Sequence, residues 1–329
     1  MANSTLAKET SKLINSQLPE FAKGLRHRNV LLVESAGSNS YAKHIENLKA
    51  DEFLKESDEE ESSHGLLWDK DLEKCTQGSN EALFQRTVMM FLIARHSLIY
   101  RVYKIDEKDK RCLDFSVEEP WICWPMPTRA YEKRNNFLTQ PKPDLALCFV
   151  RDAVISDYLW NNMPESTQQL ACYEKLPVIG SERVFRFCTI EAKKSFLSPD
   201  GIVARNQSLN NASQSLHNMF EFFQDAGDDH KEKFFAQVRF FSVVASTEGL
   251  TIRIHRAVRD SGTEQGFIIP GYPLRFEYQE FTRVLKTKFD RRKVLETFAK
   301  IFIGYGVNEL RLLLDAAAKA LMAKLNSNP

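Results

Sequence analysis

The chain has 329 residues, enough for one large domain or two modest ones with a full core. Its apolar fraction of 43% and charged fraction of 27% are those of an ordinary folded protein and speak against a disordered or fibrous chain. The net charge of +1 excludes recruitment of nucleic acid by an overall positive field, so such a partner would have to meet a local basic surface.

Residues 1–65 differ in pattern from the rest of the chain. "TLAKETSKLINSQLPEFAKGL" has the spacing of one or two short amphipathic helices, and the acidic run "DEFLKESDEEESS" at 51–63 reads as a solvated linker. The N-terminus lacks the continuous apolar region of a conventional secretory signal. No window approaches the ~18–20 apolar residues that cross a bilayer. The expectation is a soluble, cytoplasmic or nuclear protein without membrane partners.

From Ser79 or Asn80 as cap, Leu83, Phe84, Val88, Phe91 and Leu92 recur at helical spacing. "LIYRVYKI" (98–105) predicts a strand, "DEKDKR" a charged turn, and the Pro- and aromatic-rich stretch from Pro120 to Pro143 a loop. "DLALCFV" (144–150) is a short buried strand, and 151–180 an irregular or helical insertion. A strand over 184–191 ends at a break formed by Pro199, Asp200 and Gly201, and a helix covers 202–224. "QVRFFSVVAS" and "LTIRIHRAV" form a hairpin. "GFIIPGYPLRFEY" adds an edge strand kept from the sheet centre by its prolines, and the chain is helical after Gln279. The order predicts an α/β fold with a central mixed sheet flanked by helices. The division is an N-terminal helical and acidic segment (1–65), a core (66–278) and a C-terminal helical extension (279–329).

The six cysteines, Cys75, Cys112, Cys123, Cys148, Cys172 and Cys188, form no CxxC pair and read as reduced, structural thiols of an intracellular protein. The seven histidines show no zinc-hydrolase spacing, and Gly-rich phosphate loops are absent.

The chemistry concentrates at the ends of two apolar strands. "VFRFCTIEAKKS" (184–195) runs into Glu191 and Lys193, which the two-residue period of a strand puts on one face. "PKPDLALCFV" opens its strand with Asp144. If the two strands are antiparallel neighbours, Asp144 sits beside Glu191, a hard oxygen pair suited to Mg²⁺ or Mn²⁺, with Lys193 one pleat away. The blander alternatives are a surface ion pair between Glu191 and Lys193 and an Asp144 that only begins a strand or satisfies a turn. Two further D-x-K triplets, Asp106–Lys108 and Asp229–Lys231, lie in charged, loop-like stretches. Arg129, Lys133, Arg134 and Lys142 precede Asp144, and Lys194 and Arg205 flank the second motif, a set that could line a phosphate backbone or merely be solvated. Trp121, Trp124 and Tyr131 read as core residues ahead of base-stacking platforms.

Pro-Asp, a spacer of tens of residues, then Glu-x-Lys with a helix after it resembles the PD-(D/E)XK nuclease superfamily with its restriction-endonuclease-like core. The longer stretches "KPDLALCF" and "FCTIEAKKS", with "NQ" in the next helix, resemble uncharacterised nuclease-like domains of fungal genomes. The resemblance covers roughly Ser79 to Val258. It implies a metal-dependent nuclease, acting on DNA ahead of RNA through a metal-activated water, with Asp144 and Glu191 as ligands and Lys193 as the catalytic lysine. By location only, it adds Glu81 as a third ligand and Asn206 or Gln207 as accessory residues. Glu81 also reads as a first-turn carboxylate on the helix dipole. A catalytically inactive module binding nucleic acid or protein, or an effector- or toxin-like factor with a partner at its terminal helices, are the alternatives.

Overall fold

The computed structural model describes residues 13–34, 47–48, 58–77, 99–126, 138–193, 199–246, 249–260, 272–284 and 288–327. The helices are α1 (Glu20–Arg26), α2 (Asp58–Gln77), α3 (Asp157–Asn162), α4 (Glu165–Ala171), α5 (Pro199–Ala226), α6 (Asp228–Gln237), α7 (Lys288–Ala299) and α8 (Arg311–Ser327). The strands are β1 (Val30–Glu34), β2 (Val102–Ile105), β3 (Lys108–Arg111), β4 (Leu113–Val117), β5 (Leu145–Val150), β6 (Cys172–Glu174), β7 (Arg183–Ala192), β8 (Phe240–Ala245), β9 (Gly249–Arg259) and β10 (Leu274–Val284). One mixed sheet runs in the order β1-β10-β9-β8-β7-β5-β4, with β6 also pairing β7. The expected α/β class with a central mixed sheet flanked by helices is the observed one.

Every position of β5 and β8, and all of β7 except Arg183, is buried. That burial explains why these segments read as continuous apolar runs without alternation. β7 and β8 are parallel, joined through α5 and α6, whereas β4, β5 and β7 are antiparallel neighbours. Phe185 of β7 has φ 46°, and the register on β5 shifts between Leu147 and Phe149, which marks a bulge. Across it, Phe185 packs on Phe222 of α5 (centroids 4.8 Å apart), while Phe187 packs on Phe149 (5.2 Å) and Tyr305 (6.4 Å). The bulge thus serves both the central helix and the C-terminal layer.

Several expectations are corrected. "DEKDKR" is not a turn throughout. Only Asp106 and Glu107 turn, both with positive φ (48° and 63°), and 108–111 form the return strand of a two-residue hairpin. LDFSV (113–117) is a strand that its short, half-polar pattern concealed. The acidic run does not continue as a linker to 63, because α2 begins at Asp58 and buries Trp68 and Cys75. The boundary expected at 65 therefore falls inside a helix, and β1 from the N-terminal segment pairs in parallel with β10 in the main sheet. Pro199 to Gly201 are no break but the first turn of α5, the one helical place where proline sacrifices no backbone donor. β10 is not an edge strand and runs five residues past Gln279. Pro273 lies just before it, so all eleven positions can pair with β9. The triplet Asp229–Lys231 is on α6 and not in a loop. The helix expected from Ser79 lies outside the described residues.

The six cysteines are buried and none is in a disulfide. Burial pushes the thiols of Cys112 and Cys123 up to about 11 and about 12, which makes them poor nucleophiles.

Between α7 and α8 the chain winds as a π-helix over Lys300–Leu310, seating Gly306 directly on the Phe187 ring. A Cβ at 306 would lie 2.7 Å from Cζ of Phe187, a ring with no exposed surface. Gly306→Ala should therefore destabilise the protein by about 1–3 kcal/mol in chemical denaturation at unchanged m-value. An unaltered midpoint would mean that the ring has room to shift.

Candidate functional site

Leu145 of β5 faces Ile190 of β7 in antiparallel register, so Asp144, one residue before the strand, falls level with Glu191. The carboxylate of Asp144 accepts the amide of Ala192 at Oδ2 (2.7 Å), and Nζ of Lys193 lies 3.7 Å from the same oxygen. Parallel pairing with β8 fixes the other flank, where Lys193 donates its backbone N–H to Ala245 (2.8 Å). Asp144, Glu191 and Lys193 are thus brought together by three adjacent strands. Glu191 has no exposed surface and Lys193 is 9% exposed, so this is not a surface pair, whereas Asp144, which directly precedes β5, bonds across to the Ala192 amide.

Glu191 is the unusual member. Its Oε1 accepts a hydrogen bond from Nδ2 of Asn211 (2.9 Å), while its buried Oε2 has no partner. Burial, then the neighbouring Asp144 charge, pushes its carboxyl up to about 8, against opposing pulls from Lys193, Asn211 and the backbone of Asp144. Asn211 is a residue the motif reading missed. The helix after the motif was expected to contribute Asn206 or Gln207. Asn206 is buried, Gln207 is half-buried with an unpartnered Oε1, and the contact to Glu191 comes one turn later. The available signal was the polar run "NQSLNNASQSLHN" interleaved with the apolar Leu209, Ala212 and Leu216 of the same helix. Ser208, Asn210, Asn211, Ser213, Gln214, Ser215 and Asn218 are all buried, and buried amides are seldom placed without bonding work.

That work ties distant segments to α5. Asn210 donates to the carbonyl of Thr139 (3.2 Å) and accepts from Nη1 of Arg28 (3.2 Å). Gln214 accepts from the amide of Met126 and donates to the carbonyl of Trp124, both at 2.9 Å. Trp121 is buried against Tyr173 (centroids 4.8 Å apart, edge-on) and lies under the guanidinium of Arg186 (5.2 Å). Trp124, in contrast, is 51% exposed.

Of the expected basic rim, Lys142 is exposed. Arg205 is half-buried and donates from Nη2 to the hydroxyl of Tyr278 (2.7 Å). Arg129, Lys133, Arg134 and Lys194 lie outside the described residues, as do Glu81 and Tyr131. Among the described residues no group of three or more His, Cys, Asp or Glu converges as a ligand set, so the site there is a pair of carboxylates. A separate cavity of about 460 Å³ lies at the opposite end of β8, where Arg239 is occupied by backbone carbonyls. Among the described residues, no helix is long and apolar enough to cross a membrane.

The raised carboxyl has a thermodynamic signature. Folded Glu191 titrates at about 8 against an ordinary 4.5, so the folded state holds an extra proton between these values. Stability therefore declines as pH rises from about 4.5, with the whole loss present above 8. Glu191→Gln removes that dependence. In EDTA, its melting temperature relative to the parent should climb between pH 5 and about pH 8 and level off above that. A difference constant with pH would show that Glu191 is not held protonated by its surroundings.

Most of the chain, residues 68–298, matches the family model described as a domain of unknown function (DUF7924). No curated protein matches it.

Proposed function

We propose that this chain, which belongs to the DUF7924 family, is a divalent-metal-dependent nuclease of PD-(D/E)XK type with a restriction-endonuclease-like core. The observation that supports this reading best is a fully buried carboxylate oxygen, Glu191 Oε2, left without a partner beside Asp144 and Lys193. Such an atom costs about 1–3 kcal/mol, more if charged. A hard cation would turn the cost into a coordination bond and lower the carboxyl's pKa.

The donor set fits Mg²⁺ or Mn²⁺. Mg²⁺ keeps most of its water and is commonly held by one or two carboxylates plus substrate phosphate, so two acids suffice. Asp144 and Glu191 would hold the ion, which supplies Lewis-acid polarisation of a phosphoryl oxygen and acidifies water. Asn211 fixes the rotamer of Glu191, so that Oε2, not Oε1, is offered. Lys193, a mostly buried cation 3.7 Å from Asp144, is placed to orient a nucleophilic water and to offset negative charge developing on phosphorus. DNA stands ahead of RNA as substrate.

The purified protein should cleave or nick nucleic acid with Mg²⁺ or Mn²⁺ and fall silent in EDTA. Asp144→Asn should lower both metal affinity by calorimetric titration and activity. Lys193→Ala should bind metal at least as well as the parent while losing about 10²-fold or more in activity. Absence of cleavage on single- and double-stranded DNA and RNA with both metals would overturn the reading and leave a binding module.

A second consequence concerns Asn211. Asn211→Leu removes a donor to Glu191, so metal affinity should drop and the pH at which half-maximal metal binding occurs should rise. A variant with parental metal affinity at every pH would mean that Asn211 is structural.

A further inference from the structure

The segment from Glu118 to Met126 leaves the candidate site as a fixed ribbon. It starts at Asp144, whose carbonyl accepts the amide of Glu118 (3.1 Å), and runs antiparallel to 138–144 with the amide of Trp121 bonded to Pro141 (2.9 Å). On its other side the amide of Ile122 donates to the carbonyl of Tyr173 (3.2 Å). Gln140 then donates to Cys123 (3.0 Å), and Gln214 clamps Trp124 and Met126 from below. Pro120 and Pro125 hold the ends extended. The side chains alternate: Trp121 and Cys123 are buried, whereas Pro120, Ile122 and Trp124 face outward. Lys142, on the paired segment two residues before Asp144, is exposed as well. The stretch 120–125 contains no carboxylate, while Glu118 and Glu119 just before it are exposed.

A half-exposed indole on a backbone this heavily bonded is costly to leave in water and is already ordered, so a partner would lose little entropy in meeting it. We infer that Ile122 and Trp124 form a stacking subsite for unpaired nucleobases of a strand whose backbone passes Lys142 on its way to the carboxylates. This rests on the nuclease reading and extends it to substrate class: single-stranded nucleic acid, or a duplex with an unpaired flank. Aromatic faces stack on any base, and bases within a duplex keep theirs covered. Six extended residues separate Glu118 from Trp124, roughly 20 Å at most, which a strand stacked at ~3.4 Å per nucleotide spans with about six nucleotides.

The test uses the full chain in EDTA with a labelled twelve-nucleotide oligothymidylate and a blunt duplex of the same length, read by anisotropy and by quenching of tryptophan fluorescence. The parent should bind the single strand with quenching. Trp124→Ala should weaken that binding roughly ten- to hundredfold, Trp124→Phe should largely restore it, and the duplex should be affected far less. Unchanged melting temperature in both variants would exclude a folding effect. Single-strand affinity that is unaltered in Trp124→Ala overturns the inference, and if cleavage with Mg²⁺ persists the nuclease reading stands without it. Strong, Trp124-dependent binding with no cleavage under any metal supports the subsite and removes the nuclease reading instead. Concentration-dependent self-association of the parent, abolished by Trp124→Ala with no effect on oligonucleotide affinity, would show the patch to be a dimer contact and overturn the proposal.

Discussion

The antiparallel register of β5 on β7 is the constraint on which the candidate site depends. Leu145 against Ile190 puts Asp144 level with Glu191 and lets one carboxylate oxygen take the Ala192 amide. A one-residue slip would send every side chain of β5 to the opposite face and separate the two acids. Such a slip is expensive here because both strands are buried on both faces, so no apolar position could exchange with solvent at low cost. The bulge at Phe185 sits downstream of this pairing along β5 and leaves the end that carries the acids regular.

Burial on both faces also explains the character of Glu191. A carboxylate at the end of such a strand has no water to share its charge, and its neighbours act in opposition. Desolvation and Asp144 favour the protonated form, while Lys193 and Asn211 favour the ionised one. The balance leaves the group titrating near neutrality, a range suited to binding or releasing a cation. A well-packed apolar residue would be the more stable occupant of this position.

α5 carries a second, less obvious dependence. Its buried polar face joins pieces of chain that are far apart in sequence: Arg28 after α1, Thr139 before β5, Trp124 and Met126 of the proline-bounded ribbon, and Glu191 itself. Each bond contributes about 0.5–1.5 kcal/mol, and removing one partner strands the other at a larger cost. The helix therefore couples the geometry of the acid pair to that of the ribbon beside it, with Asn211 and Gln214 three residues apart on neighbouring turns.

How much was legible in the chain differs by element. Segments whose burial is symmetric, such as 145–150, 183–192 and 240–245, announce themselves as apolar runs, and their charged ends mark Asp144, Glu191 and Lys193 without any structure. The return strand 108–111 did not, because its charged residues are largely exposed, and 113–117 did not, because its buried face includes the polar Asp114 and Ser116. Helix α2 hid in an acidic run for the related reason that only residues such as Trp68 and Cys75 touch the core. By itself, then, the sequence determined the apolar strands, the acids that end them and the helix after them, since these depend on local pattern and periodicity. Which acids meet, that Asn211 and not Asn206 or Gln207 reaches Glu191, and that Trp121 is buried while Trp124 is exposed were decided only by tertiary packing. Those outcomes depend on strand register, helix rotation and desolvation by neighbours far away in the chain, and no local window contains them.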